Sequence, residues 1–445
     1  MTGLLAYATY LPVGRLEKNI APDRRSVASF DEDSTTMAVA AAAALLGSVE
    51  TKPTQLLFAT STPAYADKTN ATTVHAALGL ADSVFAADLV GTGRSLAAAV
   101  RTARLTGGLV VAGDVRVGKP GSSDERNGAD GGAALLFGDG DVIAEVLSET
   151  SLSEEFLDRW RSPLRRTGEQ WEERFGFERY AALVRTAAEQ ALAGAGIDEA
   201  DHVVLVSPNL AIGKRAGSLI KGQLSTSGSP VGFLGAADLA FGLAGILDVA
   251  GVGETILLLS SVDGCDAWVL RTTDLLPSRR QAVPVVEQVA GGRPVPYLTY
   301  LSWRGLVDRE LPRRPEPDRP AGPPSMRATA WKFGFTGSRC TACGFLHLPP
   351  LRVCRQCSAV DEMEPVRAAD LTGTVATYTV DRLAFSPSPP VVDVVVDFAG
   401  GGRTSLEVAD ADPEAFEVGT PVGLTFRRLF TAGEVHNYFW KACLS

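Results

Sequence analysis

What the chain does not contain narrows its identity first. Across 445 residues there is no apolar run long enough to cross a bilayer; the most apolar stretch, residues 37–46, is Ala-rich and about half the ~20 residues a spanning helix needs. Residues 1–7 lack a basic segment followed by a cleavable apolar core, so no secretory leader is expected and the cytoplasm is the expected compartment. Basic excess is missing too. Lys and Arg number 42 against 52 Asp and Glu, a net charge of −10, whereas a broad nucleic-acid surface needs the opposite balance. A local basic pocket for a phosphorylated cofactor remains compatible with that charge. Cysteine is scarce, six in all. Four of the six cluster, which suits a reducing compartment and a bound metal rather than disulfides.

That cluster is the most specific feature present. Cys340 and Cys343 form one Cys-x-x-Cys pair, and Cys354 and Cys357 form a second after a ten-residue loop. Each pair makes a tight knuckle that aims two thiolates at one ion, and two knuckles complete a tetrahedral four-sulfur zinc shell with no open position. Gly344 follows the first knuckle, where the turn needs a residue tolerant of positive φ. A redox-active dithiol is the alternative, but two pairs at this separation favour structural zinc. His347 lies between the knuckles and is not needed as a ligand.

The remaining organisation follows from periodicity and breakers. Residues 276–330, rich in Pro and charge, read as a linker. It separates a large domain (1–275) from a zinc ribbon (331–365) and a C-terminal module (366–445). In that module short β-branched segments at 373–380, 390–398 and 421–426, with glycines 400–402 between them, predict an all-β barrel of OB type. The first domain alternates strands (55–59, 84–87, 108–112, 133–137, 202–206, 255–260, 266–271) with helices (35–46, 69–78, 94–105, 180–195, 212–222, 236–250). A helix followed by two strands closes each half, which predicts a duplicated α/β unit.

Three pieces then carry a family resemblance. Glu32-Asp33-Ser34-Thr35-Thr36-Met37, Ala64-Tyr65-Ala66-Asp67-Lys68 and Asp130-Gly131-Gly132-Ala133-Ala134-Leu135 resemble the hydroxymethylglutaryl-CoA synthase branch of the thiolase superfamily, whose fold ketoacyl synthase III shares. The Cys-rich ribbon and barrel, ending in His436-Asn437-Tyr438-Phe439-Trp440-Lys441, resemble the DUF35 module, a rubredoxin-like ribbon joined to an OB fold. The resemblance implies a dimeric, thiolase-like α/β fold of duplicated αβαβα layers. It also implies a pantetheine tunnel, acyl-CoA substrates, and a module that docks onto thiolase-type partners and helps hold CoA.

Carried over residue by residue, the resemblance exposes departures. Such enzymes place a Cys nucleophile at the start of a buried helix, where the helix dipole and amides activate the thiol and hold an oxyanion. Aligned on Asp88, that position is Gly93. The hydroxyls of Thr92 and Ser95 lie nearby without a local base, and a turn with a capping Ser accounts for them. Asn209 stands where the family has His, and it can donate a hydrogen bond but not shuttle a proton at neutral pH. Gly235-Ala236 replaces the Gly-Asn pair, and Pro63 occupies the spacing of the family Glu. Cys265, in the segment matching a Gly-rich active-site loop, is the remaining thiol candidate, although Asp263 and Asp266 beside it disfavour a thiolate. Tyr65 and Asp67 are candidates for the pocket mouth. Lys214, Arg215 and Lys221 are candidates for CoA phosphates. In the barrel, Arg427, Arg428, Phe430, His436, Tyr438, Phe439 and Trp440 form an aromatic–basic edge read as an interface or part of a CoA path.

Three functions are expected from this pattern. The first is an acyl-CoA enzyme that makes or breaks a carbon–carbon bond without an acyl-Cys intermediate. The second is a catalytically silent CoA-binding or scaffold partner of an active thiolase. The third is conventional hydroxymethylglutaryl-CoA synthesis or acyl transfer with a displaced nucleophile.

Overall fold

The structure, a computed structural model, describes residues 2–17, 25–220, 224–226 and 228–444. The chain divides into two compact units: residues 1–28, 33–72 and 82–300 form the first, and residues 29–32, 73–81 and 301–445 the second. No helix among the described residues is long and apolar enough to cross a membrane.

Apolar runs make the strands of the first unit. They are β1 (Gly3–Tyr10), β2 (Gln55–Thr60), β3 (Phe85–Val90), β4 (Gly108–Asp114), β5 (Gly131–Gly138), β6 (Ala144–Leu152), β7 (His202–Val206), β8 (Leu224–Thr226), β9 (Thr255–Ser260) and β10 (Cys265–Thr272). β4 and β9 are buried along their whole length, as central strands covered on both faces must be. The strands pair in the order β3-β2-β4-β5-β1 and β8-β7-β9-β10-β6. In both halves the first three strands run parallel and the last two join antiparallel. The halves meet at one register pair, Leu4 with Ala144. The duplication predicted from the order of elements is therefore a duplicated topology.

The helices that frame this unit include α1 (Ser34–Leu46), α2 (Arg94–Thr106), α3 (Glu173–Ala195), α4 (Leu210–Arg215) and α5 (Asp238–Leu247). Asp33 caps α1, its carboxylate accepting from the amides of Thr35 and Thr36 while the Thr36 hydroxyl accepts from the Asp33 amide. α1 packs on β1, β4 and β5, and α3 packs on β6, β9 and β10. α2 and α5 are the duplicates of each other. Their Leu96, Val100, Phe241 and Leu243 share one core with Leu57, Val110 and Leu135 of the first half and Val204, Leu258 and Trp268 of the second. The result is the thiolase-like αβαβα arrangement.

Two local expectations change. The helix expected over 212–222 is only the short α4 followed by a 3-10 turn, Ala216–Ser218; Gly213 and Gly217 in this run weaken helix propagation. The linker expected over 276–330 is folded in its first half. A helix covers Val285–Ala290, and Arg293–Val295 pairs in parallel with Gly14–Leu16. Polar hooks hold it there: Asp248 accepts from Tyr7 Oη (2.8 Å), Gln281 Nε2 and the Val285 amide, and the Thr9 amide donates to Gln281 Oε1. The Pro-rich composition masked these side-chain anchors.

The second unit contains a ribbon, β11 (Thr336–Cys340), β12 (Leu346–His347) and β13 (Met363–Arg367), and a five-stranded sheet of β14 (Gly373–Asp381), β15 (Val391–Phe398), β16 (Arg403–Glu407), β17 (Pro421–Ala432) and β18 (Val435–Leu444). The sheet order is β16-β15-β14-β17-β18. Just past β16, Val408 bridges Ala442 of β18, which brings the two edges together as an OB barrel requires. Val392, Val394, Val396, Val422 and Phe426 fill the interior. The aromatic–basic edge expected on the barrel is in part internal. Arg427 is buried and pairs with Asp31 (3.3 Å), Glu32 (2.8 Å) and Asp410 (2.7 Å), while buried Lys441 pairs with Asp31 and Glu407, both at 2.9 Å. Burial alone would push Asp31 up, but the charges of Lys441 and Arg427 hold its carboxyl below the usual range. Arg427 is thus committed to carboxylates and is not part of a phosphate path.

Candidate functional site

β3 ends at Val90, and Gly91, Thr92 and Gly93 turn the chain into α2. Gly93 is the N-cap and supplies no side chain. The Ser95 amide bonds the Thr92 carbonyl, and the Arg94 amide reaches Thr92 Oγ1 at 3.3 Å. This turn lines a pocket of the first unit, so the positive end of a 13-residue helix borders it. A Cβ on Gly93 would lie 3.2 Å from the Gly235 carbonyl oxygen and 3.5 Å from the Phe233 ring and the Val262 side chain. Gly235 opens the turn before α5, so the two duplicated turns face one another. It cannot carry a side chain: its φ is +61°, and a Cβ would stand 2.0 Å from Asp114 Oδ2. Asp114 is fully buried and accepts from the Ser61 and Ala236 amides and from the hydroxyls of Thr60, Ser61 and Thr62. It locks the ends of β2 and β4 to the start of α5.

The rest of the pocket wall is charged. Arg116, Arg159, Arg161 and Arg166 line it together with Asp124, Asp158 and Asp263. Arg116 donates to Ser61 Oγ at 3.0 Å and lies over the Phe233 ring. Arg159 pairs with Asp124 and reaches the Pro208 carbonyl, and Arg161 donates to the Ser61 carbonyl. Asp158 accepts from Tyr180 Oη at 3.3 Å, and Tyr180 Oη in turn accepts from the Asp263 amide at 3.2 Å. Burial, with Asp263 adding to it, pushes Asp158 above the usual carboxylate range despite the opposing charge of Arg159. These arginines and Asp158 carry no motif. One signal for them was Gly176 inside a long helix, a costly residue there. A Cβ at that position would meet Asp158 Oδ2 at 2.9 Å and Asn209 Nδ2 at 2.7 Å.

The residues singled out from the sequence fare differently. Thr92 and Gly93 line the pocket. Asn209 does not line it. It caps α4, accepting from the Ala211 amide and donating to the Glu173 carbonyl, so its amide is spent on structure. Cys265 is fully buried in the core between α3 and the second half-sheet. Burial first, then Asp266, pushes its thiol up, which disfavours the thiolate a nucleophile needs. Tyr65 is half-buried in a loop whose backbone Asn70 holds at both the amide and the carbonyl, and it too is outside the pocket lining. Lys214 and Arg215 are exposed at the end of α4, Arg215 lying over the Phe177 ring. Lys221 lies outside the described residues.

In the second unit the four predicted thiols converge. The sulfurs of Cys340, Cys343, Cys354 and Cys357 all lie within 4.8 Å of one another. Cys340 to Cys357 and Cys343 to Cys354 are each 3.6 Å. Tetrahedral zinc with Zn–S of about 2.3 Å sets sulfurs roughly 3.8 Å apart, close to the spacing of those two pairs, so the four thiols fit one zinc ion. The amides of Gln356 and Cys357 point at Cys354 Sγ at 3.3 and 3.5 Å, the knuckle pattern that stabilises a thiolate.

Comparison with known proteins gives the following. Residues 334–364 match the family model of the ChsH2 rubredoxin-like zinc ribbon domain, and residues 366–427 that of the ChsH2 C-terminal OB-fold domain; the cofactor of the ribbon is a structural zinc ion. The hydroxymethylglutaryl-CoA synthase of Pyrobaculum aerophilum is 31% identical over 309 residues, covering 64% of this chain and 87% of that protein. The synthase of Archaeoglobus fulgidus is 29% identical over 342 residues, 69% of this chain and 99% of that protein. Among solved structures, MvaS in complex with 3-hydroxy-3-methylglutaryl coenzyme A superposes with a TM-score of 0.58 at 18% identity, covering 72% of this chain and 94% of that one. The 3-oxoacyl-(acyl carrier protein) synthase III of Pseudomonas aeruginosa superposes at 0.52 and 18% identity, covering 61% and 98%.

Proposed function

The chain belongs to the hydroxymethylglutaryl-CoA synthase family, and from that premise we propose that it binds an acyl-CoA and makes or breaks a carbon–carbon bond beside the thioester without an acyl-Cys intermediate. One observation carries this reading: a pocket lies at the N-terminus of α2, lined by four arginines and by Gly93, the residue that the family resemblance places at the nucleophile position and that has no side chain. Among the described residues lining it there is neither Cys nor His. Helix-end amides favour developing negative charge on a thioester oxygen, and the arginines suit an anionic ligand. That combination stabilises an enolate without covalent capture. Gly264, with φ +133°, is the second backbone amide we assign to that task. Lys214, Arg215 and Lys221 are our candidates for the CoA phosphates, and the ribbon–barrel module for docking on a thiolase-type partner. A homodimer formed through the first unit, in the cytoplasm, completes the proposal.

A second reading, a silent CoA-binding partner of an active thiolase, is favoured by Asn209, which replaces a proton shuttle and is committed to capping α4. Incubating the purified chain with acetyl-CoA and acetoacetyl-CoA, followed by intact-mass measurement and assay of free CoA, tests both. The expected result is binding with an unmodified protein mass. A covalent acyl adduct that Cys265→Ala abolishes would overturn the proposal. Turnover seen only with a co-purified thiolase would select the partner reading.

A further inference from the structure

Bond formation or cleavage without an acyl-Cys still needs a group that takes and returns a proton. Three carboxylates line the pocket. Asp124 is spent on Arg159. Asp263 has a left-handed backbone, φ +49°, with its carbonyl bound by Arg94. Asp158 differs from both. The residue is buried, and its carboxylate takes one hydrogen bond from Tyr180 and rests on the bare surface that Gly176 leaves on α3. A short path connects it to the helix end: Val262, which a Cβ on Gly93 would touch, is followed by Asp263, whose amide holds the Tyr180 hydroxyl.

We infer that Asp158 is the general base and acid of this site, with Tyr180 holding its carboxylate toward the substrate. The inference rests on the acyl-CoA reading above. In the cleavage direction Asp158 removes the proton of a β-hydroxyl. The bond between the α and β carbons breaks, the β carbon leaves as a carbonyl, and the electron pair passes to the α carbon as a thioester enolate. Asp158 then returns the proton to the α carbon. Synthesis runs the same steps in reverse, and neither direction needs an oxidant or reductant. The substrate class is therefore a β-hydroxyacyl thioester, or an acyl thioester together with a carbonyl acceptor. Burial that raises the basicity of Asp158 suits a proton carrier working near neutral pH.

The test is α-proton exchange of acetyl-CoA and propionyl-CoA in D2O, followed by mass spectrometry, with calorimetric affinity for the same thioesters measured alongside. Asp158→Asn is expected to lower exchange by about 100-fold or more, with affinity within about threefold. Tyr180→Phe keeps the buried ring and covers the case in which Asp158→Asn does not fold. The charged and titratable groups facing Asp158 are Arg159, Tyr180 and Asp263. Losing the Tyr180 hydroxyl removes a bond that favours the carboxylate, so the acidic limb of the exchange profile moves to higher pH. Wild-type exchange retained by Asp158→Asn, or an unmoved limb in Tyr180→Phe, overturns the assignment and leaves the acyl-CoA reading standing. Wild type that binds both thioesters without exchanging them overturns the assignment and leaves a silent binder. Wild type that neither binds nor exchanges them overturns the acyl-CoA reading and the assignment with it.

Discussion

Replacing Arg427 with Met tests how the second unit is held together. The guanidinium is 4% exposed and faces Asp31, Glu32 and Asp410, of which Asp31 and Glu32 are 2% and 1% exposed. Met keeps the volume and removes the charge. Asp31 retains Lys441 at 2.9 Å, and Glu32 retains the Ser29 amide at 2.8 Å, but Glu32 loses its ion pair with Arg427. Breaking a buried pair from one side costs about 3–5 kcal/mol, because the remaining charge stays desolvated. In a unit of roughly 150 residues, each kcal/mol moves the midpoint by about 2–4 °C. The loss is then on the order of 6–20 °C. Zinc release into a chromophoric chelator during a thermal ramp reads the second unit specifically, since the ribbon lies within it. Adding Glu32→Gln to Arg427→Met removes the stranded charge and is expected to recover part of the loss. A midpoint within about 2 °C of wild type for Arg427→Met, or no recovery in the double variant, would refute the reasoning.

Two further outcomes are expected. Removing zinc with a strong chelator, or substituting Cys354→Ser, takes metal content from one ion per chain to near zero and melts the ribbon, since binding and folding of such sites are one equilibrium; an unchanged melting profile would refute the structural role. Asp238 at the start of α5 is buried, and burial pushes its carboxyl from 3.8 up to about 7. Its folded pKa lies above its unfolded one, so the stability it contributes is complete below pH about 4 and is lost as pH rises toward 7. Asp238→Asn should remove this loss, worth at most about 4 kcal/mol, so that its midpoint exceeds wild type more at pH 8 than at pH 5; parallel curves would sink the idea.

Where a structure is built by local chemistry, the sequence carried it plainly. The two Cys-x-x-Cys pairs placed four sulfurs within 4.8 Å, and the apolar runs of β2, β4, β7 and β9 lie where periodicity put them. Strand β6 was missed because Glu145, Ser148, Glu149 and Ser151 break its apolar pattern. Glu149 is nonetheless satisfied by Arg101 and Arg104 of α2, and Ser151 by Asp266, partners far away in sequence. The pocket was half legible for the same reason. Gly93 could be located from the stretch that follows Asp88, whereas Arg116, Asp158 and Arg161 become neighbours only through the duplicated topology. Cys265 remained a candidate because it lies in the segment matching a glycine-rich loop; its burial comes from packing with α3, some seventy residues earlier.

The ion network of the second unit also sets a timetable. Asp31 and Glu32 leave the ribosome nearly four hundred residues before Arg427 and Lys441, a delay of roughly 20–80 s at ordinary synthesis rates. Until then two acidic side chains stay without the cations that they pair with in the folded barrel. A fragment cut at the apparent ribbon boundary would carry both cations inward with half their carboxylates missing. The module therefore has the outline of a separable domain, yet two of its buried carboxylates come from near the start of the chain.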